Sequence, residues 1–130
     1  MHHKYGSVAD AKNYVGDLLV MVQLPRAYMN RFPHELSGGQ RQRASLARGL
    51  ALKPSLLIAD EPTSALDVSV QAKVLELFKR LQAEIGFACL FITHDLAVVD
   101  MLAARIMVLH QGQIVEHAAA HQLTPEPEHP

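Results

Sequence analysis

The chain has 130 residues, 12 lysines and arginines against 13 aspartates and glutamates, and a hydrophobic content of 49%. That apolar content is enough for one domain with a core and argues against intrinsic disorder, while the net charge of -1 gives no support to a polybasic nucleic-acid binder. The single cysteine excludes an intramolecular disulfide framework and suits a reducing compartment. No apolar run reaches the roughly 18–20 residues of a membrane span, and no secretory signal is expected.

The first predicted helix begins after Ser7, whose hydroxyl can cap its first turn. Apolar residues recur along it at helical spacing; they are Val8, Ala11, Val15, Leu18, Leu19 and Val22. Pro25 ends the helix, because the residue before a proline is disfavoured in helical geometry. Residues 26–35 are expected to form a loop or a short helix.

Helices and strands then alternate along the chain. The expected elements are a helix over 40–52, a strand over 56–60, a helix over 68–85, a strand over 88–93, a short helix over 95–104 and a hairpin of 105–110 with 113–117. The strands over 56–60 and 88–93 are short continuous apolar runs, which are typical of strands buried on both faces. Ser37 and Asp67 are expected to start the two long helices, and Gly86 to stop the second. This order predicts an α/β fold with parallel strands and right-handed crossovers.

Polar side chains follow both predicted strands at the point where each strand ends. Asp60 and Glu61 close the first strand, and Thr93, His94 and Asp95 close the second. Chemistry in parallel sheets collects at the carboxyl ends of the strands, so these groups are the first candidates for a site. The alternative is that they are only loop-start residues and helix caps, which are common.

The acidic pair after the first strand suits nucleotide chemistry. An aspartate at the position of Asp60 can hold Mg²⁺ beside nucleotide phosphates. Glu61 is expected to point in a different direction, since side chains alternate along a strand. A glutamate there can orient or deprotonate an attacking water.

A serine–glycine turn, residues 37–40, precedes the first of the two long helices. Ser37 offers a hydroxyl, while Gly38 and Gly39 allow the backbone to approach an anion closely. Free amide groups and the positive end of the helix dipole favour phosphate at such a position. A helix cap followed by a flexible turn is the alternative interpretation.

Four motifs, in this order, resemble those of the ATP-binding cassette (ABC) transporter ATPases. Residues Leu36–Arg43 resemble the signature sequence, Leu56–Glu61 the Walker B strand, Ser64–Asp67 the D-loop and His94 the switch histidine. Each motif alone is common, but their conjunction is specific, and the resemblance covers nearly all of the chain.

Two stretches, Ala65–Ala72 and Ile92–Val99, further resemble the importer branch for dipeptides, oligopeptides and nickel. The resemblance implies a P-loop NTPase-like fold with a partial parallel sheet flanked by helices and preceded by part of a helical subdomain. The implied division of the chain is a helical-subdomain portion over 1–52, the C-terminal part of the ATPase core over 53–123 and the start of a C-terminal extension over 124–130.

The resemblance also implies catalytic roles and cofactors. Glu61 would act on the hydrolytic water. His94 would contact the γ-phosphate of ATP on one side and the region around the glutamate on the other. Asp60 would position Mg²⁺. The implied reaction is hydrolysis of ATP to ADP and phosphate.

Other residues are placed by the resemblance at the contact between two cassettes. The nucleotide held by the opposite subunit would be contacted by Ser37, Gly38, Gly39 and Gln40. Ser64 and Asp67 would lie at the dimer interface. The implied partners are a second ABC ATPase subunit and transmembrane permease subunits, with no nucleic acid. The implied location is peripheral, on the cytoplasmic side of the cell membrane, with hydrolysis coupled to import of a substrate such as a peptide.

One element of the family is missing from these residues. None of the seven glycines is followed by lysine, so the sequence contains no G-x-x-x-x-G-K-[ST] phosphate loop, the Walker A motif. The sequence therefore resembles the C-terminal part of a cassette and has about half of a cassette's length. We expect the chain alone to bind ATP weakly or not at all, and the strands over 88–93 and 105–110 to have unpaired edges.

Two alternative functions remain open from the sequence. One is a non-catalytic ABC remnant or interaction module, which would bind nucleotide only in trans or not at all. The other is a soluble ABC ATPase that serves DNA repair or translation. A metal centre is disfavoured, because the pair His117 and His121 lacks a completing cluster, and Cys89 is expected to be inert packing.

Overall fold

The computed structural model describes residues 6–119; the predicted C-terminal extension over 124–130 and His121 lie outside the described residues. The helices and strands are α1 (Val8–Met21), α2 (Gly38–Leu50), β1 (Leu56–Asp60), α3 (Val68–Ile85), β2 (Ala88–Ile92), α4 (Leu96–Leu102), β3 (Arg105–His110) and β4 (Gln113–Ala119). Two short 3₁₀ helices, Arg26–Asn30 and Pro33–Glu35, join α1 to α2, where the sequence predicts a loop or short helix. No helix within this part of the chain is both long and apolar enough to cross a membrane.

Polar side chains start the helices as the sequence predicts. The side chains of Ser7, Asp67 and Asp95 accept backbone N–H groups in the first turns of α1, α3 and α4. Gly86 ends α3 in the left-handed region at φ 85°, which glycine adopts without a Cβ clash. The predicted bounds of α3 are confirmed, whereas α2 ends two residues earlier than expected, at Leu50.

The strands form two separate two-stranded sheets. β1 pairs with β2 in parallel, with Leu56 opposite Ala88 and Asp60 opposite Ile92. β3 pairs with β4 in the predicted antiparallel hairpin, whose two-residue turn has positive φ at Gln111 and Gly112, as tight hairpin turns require. Among the described strands, β2 and β3 do not pair with each other, which agrees with the expected unpaired edges.

The prediction that β1 and β2 are buried on both faces is wrong. One face of this small sheet packs against the helices through the half-buried side chains of Leu57, Ala59, Cys89 and Phe91. The other face is exposed: the exposed fractions are 54% for Leu56, 61% for Ile58, 42% for Leu90 and 43% for Ile92. The continuous apolar residues of β1 and β2 make both faces of the sheet apolar, and the described residues cover only one of these faces. Burial raises the pKa of the Cys89 thiol, which fits packing rather than nucleophilic chemistry.

The hydrophobic core lies between the three long helices and the covered face of the sheet. Its buried members are Leu18, Leu19, Val22, Leu24, Leu46, Ala47, Leu50, Leu77, Phe78, Leu81 and Phe87. The Phe78 ring makes edge-to-face contacts with Phe87 and Phe91, with centroids 5.9 and 5.5 Å apart. The fully buried core residues that α1 supplies, Leu18 and Leu19, lie in its C-terminal half, whereas Val8 and Val15 on the predicted apolar face are exposed. The α1 and α2 helices are thereby attached to the sheet that carries the polar strand ends.

Leu81→Ala should lower the free energy of unfolding by about 2–5 kcal/mol, because Leu81 is fully buried and its truncation leaves a cavity. Ile58→Thr should change it by only about 0.5 kcal/mol, since the Ile58 side chain lies on the exposed face and threonine keeps a β-branched carbon. Urea unfolding of both variants checks the contrast. An equally large loss for Ile58→Thr would contradict the exposed face.

Candidate functional site

A carboxylate–imidazole pair, Glu61 and His94, lies where β1 and β2 end. The backbone N–H of Glu61 donates to the carbonyl of Ile92 at 2.8 Å, which ties the residue after β1 to the last residue of β2. The Nδ1 atom of His94 lies 2.9 and 3.1 Å from the two carboxylate oxygens of Glu61. The structure thus brings together the two residues that the sequence places at the ends of neighbouring strands.

Glu61 reaches this position through its backbone. It lies just beyond β1 and has a φ of 49°, in the left-handed region that non-glycine residues rarely adopt. Such a conformation costs of order 1–3 kcal/mol and persists where the surroundings hold it, often at functional sites. The side chains of Glu61 and Asp60 therefore point in different directions because the backbone turns at Glu61. The sequence predicts the same difference from the alternation of side chains along a strand, but Glu61 lies beyond the end of β1.

The pair is open to solvent but electrostatically coupled. The side chains of Glu61 and His94 are 35% and 80% exposed. The hydrogen bond that His94 donates to Glu61 raises the pKa of His94 above its ordinary value, and the negative charge of Glu61 adds to the rise. Desolvation opposes this rise, and the charge of Asp95 makes the smallest contribution to it. When the Nδ1–H donates to Glu61, the other ring nitrogen is left as the group that can meet a ligand.

Asp60 closes β1 as an exposed carboxylate. Within residues 6–119, no cluster of three or more histidine, cysteine, aspartate or glutamate side chains could hold a metal ion unaided. Mg²⁺ is commonly held by one or two protein carboxylates together with substrate phosphates and waters. Asp60 fits that manner of binding, in which most of the ligands come from outside the protein.

The segment that follows Glu61 is held by its own hydrogen bonds. The amide and the hydroxyl of Ser64 both donate to the carbonyl of Glu61, at 3.4 and 3.2 Å. Asp67 accepts from the amide of Val70 at 2.9 Å and so caps α3. Both Ser64 and Asp67 are exposed, and the structure places Ser64 directly beside the backbone of the carboxylate–imidazole pair.

The serine–glycine turn is the N-terminus of α2 and forms a reciprocal cap. The hydroxyl of Ser37 accepts from the amide of Gln40 at 3.2 Å, and the side-chain oxygen of Gln40 accepts from the amide of Ser37 at 3.0 Å. The first amides of a helix lack partners within the helix, so those of Gly38 and Gly39 can receive an anion. Within the described residues, no hydrogen bond or ion pair links this turn directly to the carboxylate–imidazole pair.

Sequence reasoning missed two polar residues near the pair. Gln71, in the first turn of α3, donates from Nε2 to a carboxylate oxygen of Asp95 at 3.4 Å. Thr63 is buried, with 4% exposure, and its carbonyl accepts from the amide of Leu66 at 3.1 Å. No local pattern distinguishes Gln71 from an ordinary helix residue, because its contact with Asp95 depends on how two distant segments come together. The turn bond of Thr63 is local, but the burial of its side chain depends on the folded chain.

The family model that describes ABC transporters matches residues 8–64. These residues therefore carry an ABC transporter domain. The chain is 50% identical over 115 residues to the glutathione import ATP-binding protein GsiA of Pectobacterium atrosepticum. This match covers 87% of this chain and 18% of GsiA. It is likewise 50% identical over 121 residues to the oligopeptide transport ATP-binding protein OppF of Streptococcus pyogenes serotype M1, over 93% of this chain and 39% of OppF.

A solved ABC cassette has the same fold. The dimeric structure of a cassette in a post-hydrolysis state, bound to ADP and Pi, matches with a TM-score of 0.76 and 33% identity, over 92% of this chain and 51% of that one. This match confirms the predicted α/β cassette fold, and the names of the ABC relatives confirm the predicted resemblance to the peptide importer branch. The chain spans less than two fifths of the length of those curated relatives and about half of the solved cassette.

Glu61→Gln should lower the pKa of His94 toward its ordinary value of about 6.5, because the amide removes the negative charge that favours the imidazolium. Nuclear magnetic resonance titration of the His94 ring measures this directly. Because the pKa of His94 is raised in the folded state, the pair contributes its full stabilisation of the fold below the pKa that His94 has in the unfolded chain. This stabilisation is lost as the pH rises through the pKa of His94 in the folded chain.

Glu84→Gln is the matched control, since Glu84 lies in the last turn of α3, with its carboxylate 3.8 Å from Arg80. It should leave the His94 titration unchanged. Identical His94 titration curves for the Glu61→Gln variant and the unmodified chain would contradict the pairing.

Proposed function

We propose that this chain provides the hydrolytic half of an ABC transporter ATPase site. The observation that carries the proposal is the contact between Glu61 and His94 at the ends of two parallel strands. A carboxylate that accepts a hydrogen bond from an imidazole, in a site open to solvent, is suited to activating a water molecule. Asp60 lies beside the pair in sequence and is suited to the Mg²⁺ that accompanies ATP.

In the proposed reaction, the oxygen of water bonds to the γ-phosphorus of ATP while the bond between that phosphorus and the β,γ-bridging oxygen breaks. ADP leaves with the bonding electrons. Glu61 accepts a proton of the water. His94, protonated at both ring nitrogens, donates from Nδ1 to Glu61 and from Nε2 to an oxygen of the γ-phosphate. Bound Mg²⁺ would supply positive charge that offsets the phosphates, with Asp60 as its protein ligand.

The serine–glycine turn serves, in this proposal, the nucleotide of a second cassette. The proposed contacts are made by Ser37, Gly38, Gly39 and Gln40, and Ser64 and Asp67 lie at the interface between the two cassettes. Support comes from the anion-binding character of a helix N-terminus and from the dimeric state of the solved cassette. Residues 1–52 would form the helical-subdomain portion, residues 53–123 the core portion and 124–130 the start of an extension.

The proposed biological role is ATP-driven import of a peptide, with a second ATPase subunit and transmembrane permease subunits as partners. The names of OppF and GsiA, which refer to oligopeptide transport and glutathione import, support a peptide cargo. The proposed location is the cytoplasmic face of the cell membrane. A non-catalytic interaction module is the second candidate, favoured by the lack of a lysine-bearing phosphate loop in these 130 residues.

A chimera tests the hydrolytic role. This chain replaces the 121-residue region of OppF that it matches, so that OppF supplies the remainder of its cassette. The chimera should hydrolyse ATP, and Glu61→Gln in it should lower kcat by about 10²–10⁴-fold while ATP still binds. Glu84→Gln, the control, should keep the rate. A chimera that binds ATP and hydrolyses it equally well with Glu61→Gln would overturn the proposal.

The chain alone should bind Mg·ATP weakly or not at all, because a phosphate loop and its lysine provide much of the charge that holds the phosphates. Isothermal titration of the 130-residue chain with Mg·ATP measures the affinity. A dissociation constant in the micromolar range would show that the helix N-terminus and the carboxylate–imidazole pair hold ATP without the loop.

A further inference from the structure

The serine–glycine turn is packed directly on the start of α3. Gly39 is buried, and a Cβ atom at this position would lie 2.6 Å from Val70 Cγ1, whereas real Cβ contacts essentially never fall below 3.0 Å. A Cβ on Gly38 would lie 3.1 Å from a methyl group of Leu66. Packing within the chain therefore leaves no space for a Cβ atom at Gly39 unless Val70 moves, and it leaves little space for one at Gly38. This requirement is additional to any approach of a phosphate.

The same turn of α3 also reaches the segment that carries His94. Gln71, the residue after Val70, donates from its side-chain amide to Asp95 at 3.4 Å. The amide of Asp95 donates in turn to the hydroxyl of Thr93 at 3.1 Å, so that His94 lies between two residues that are bonded to each other. The carboxylate of Asp95 also accepts from the amide of Ala97 at 2.9 Å.

Helix geometry explains why two successive residues can serve two different neighbours. Side chains at i and i+1 of a helix point about 100° apart, as 3.6 residues per turn requires, and do not face each other. Val70 is thus directed to α2 and Gln71 to the segment between β2 and α4. The first turn of α3 is itself held at Asp67, whose carboxylate accepts from the amide of Val70 at 2.9 Å and whose carbonyl accepts from that of Gln71 at 2.8 Å.

We propose that Val70 and Gln71 are positioning residues that hold the serine–glycine turn in a set place relative to the carboxylate–imidazole pair. This inference rests on the proposed function for its importance, since the two places would serve the two nucleotides of a cassette dimer. Its structural content is independent of that function: a displacement at Gly39 is transmitted through Val70 to the first turn of α3, and through Gln71 to Asp95 and His94.

A double-mutant cycle tests the contact with α2. Gly39→Ala should destabilise the chain and should shift the backbone amide resonances of Asp95 and His94, because its new methyl group displaces Val70. Val70→Ala removes the methyl group that clashes, so the double variant should regain the unmodified positions of the Asp95 and His94 resonances.

Gly49→Ala is the matched control, because its Cβ would lie 2.9 Å from a methyl group of Leu57 at the other end of α2. It should crowd the helix without moving the Asp95 and His94 resonances, and Val70→Ala should not rescue it. Resonance shifts for Gly39→Ala that stop at α3, or that persist in the double variant, would overturn the inference.

Gln71→Leu provides a milder test that keeps the size of the side chain and removes the amide. The His94 titration should change in this variant, whereas Gln82→Leu, which removes an amide bonded to the carbonyl of Phe87 at the other end of α3, should leave it unchanged. An unchanged His94 titration in Gln71→Leu would overturn the positioning role proposed for Gln71. This test does not depend on whether Gly39→Ala folds.

The OppF chimera separates this inference from the proposed function. There, Gln71→Leu and Val70→Ala should each lower kcat by about ten-fold or more while KM for ATP stays nearly constant, because they misplace groups that act on the transition state. An inactive chimera whose variants still show the expected resonance shifts would refute the proposed function alone. An active chimera that is indifferent to both variants would refute the positioning role alone.

Discussion

The parallel pairing of β1 with β2 is the constraint on which the candidate site depends. Its register sets Asp60 opposite Ile92, and the bond from the Glu61 amide to the Ile92 carbonyl continues the pairing for one residue beyond β1. Glu61 can then turn into the left-handed region and meet His94, which lies two residues beyond β2. A shift of register by one residue would direct each side chain to the opposite face and separate the pair.

Much of this arrangement could be predicted from the sequence because it depends on local rules. The cap at Asp67, the stop at Gly86 and the meeting of Glu61 with His94 follow from capping chemistry and from the rule that parallel strands end at one edge. The exposed face of Leu56 and Ile58 could not be predicted, because an apolar run shows that a strand can be covered on both sides without showing which residues cover it. The contact of Gln71 with Asp95 depends on how α3 meets the next loop, which no periodicity records.

Gly39 shows how one residue can satisfy two demands that look identical in a sequence. A glycine in a turn before a helix is readily interpreted as space for an anion. The structure adds a requirement for space inside the protein, since Val70 fills the position that a side chain at Gly39 would need. A loss of activity on substituting Gly39 would therefore combine altered nucleotide contact with altered packing of α2 on α3, and only a compensating change at Val70 separates the two effects.

The crossover from β1 through α3 to β2 has a consequence for the way the chain reaches its native state. Every β1–β2 partner is separated by the same 32 positions, as Leu56 and Ala88 are, and the hairpin of β3 with β4 pairs residues that are much closer in sequence. Loop closure over short separations costs little entropy, and local contacts favour fast folding. The hairpin should therefore pair earlier than β1 and β2, which must close the longer separation that α3 spans, so that Glu61 and His94 are expected to meet later in folding.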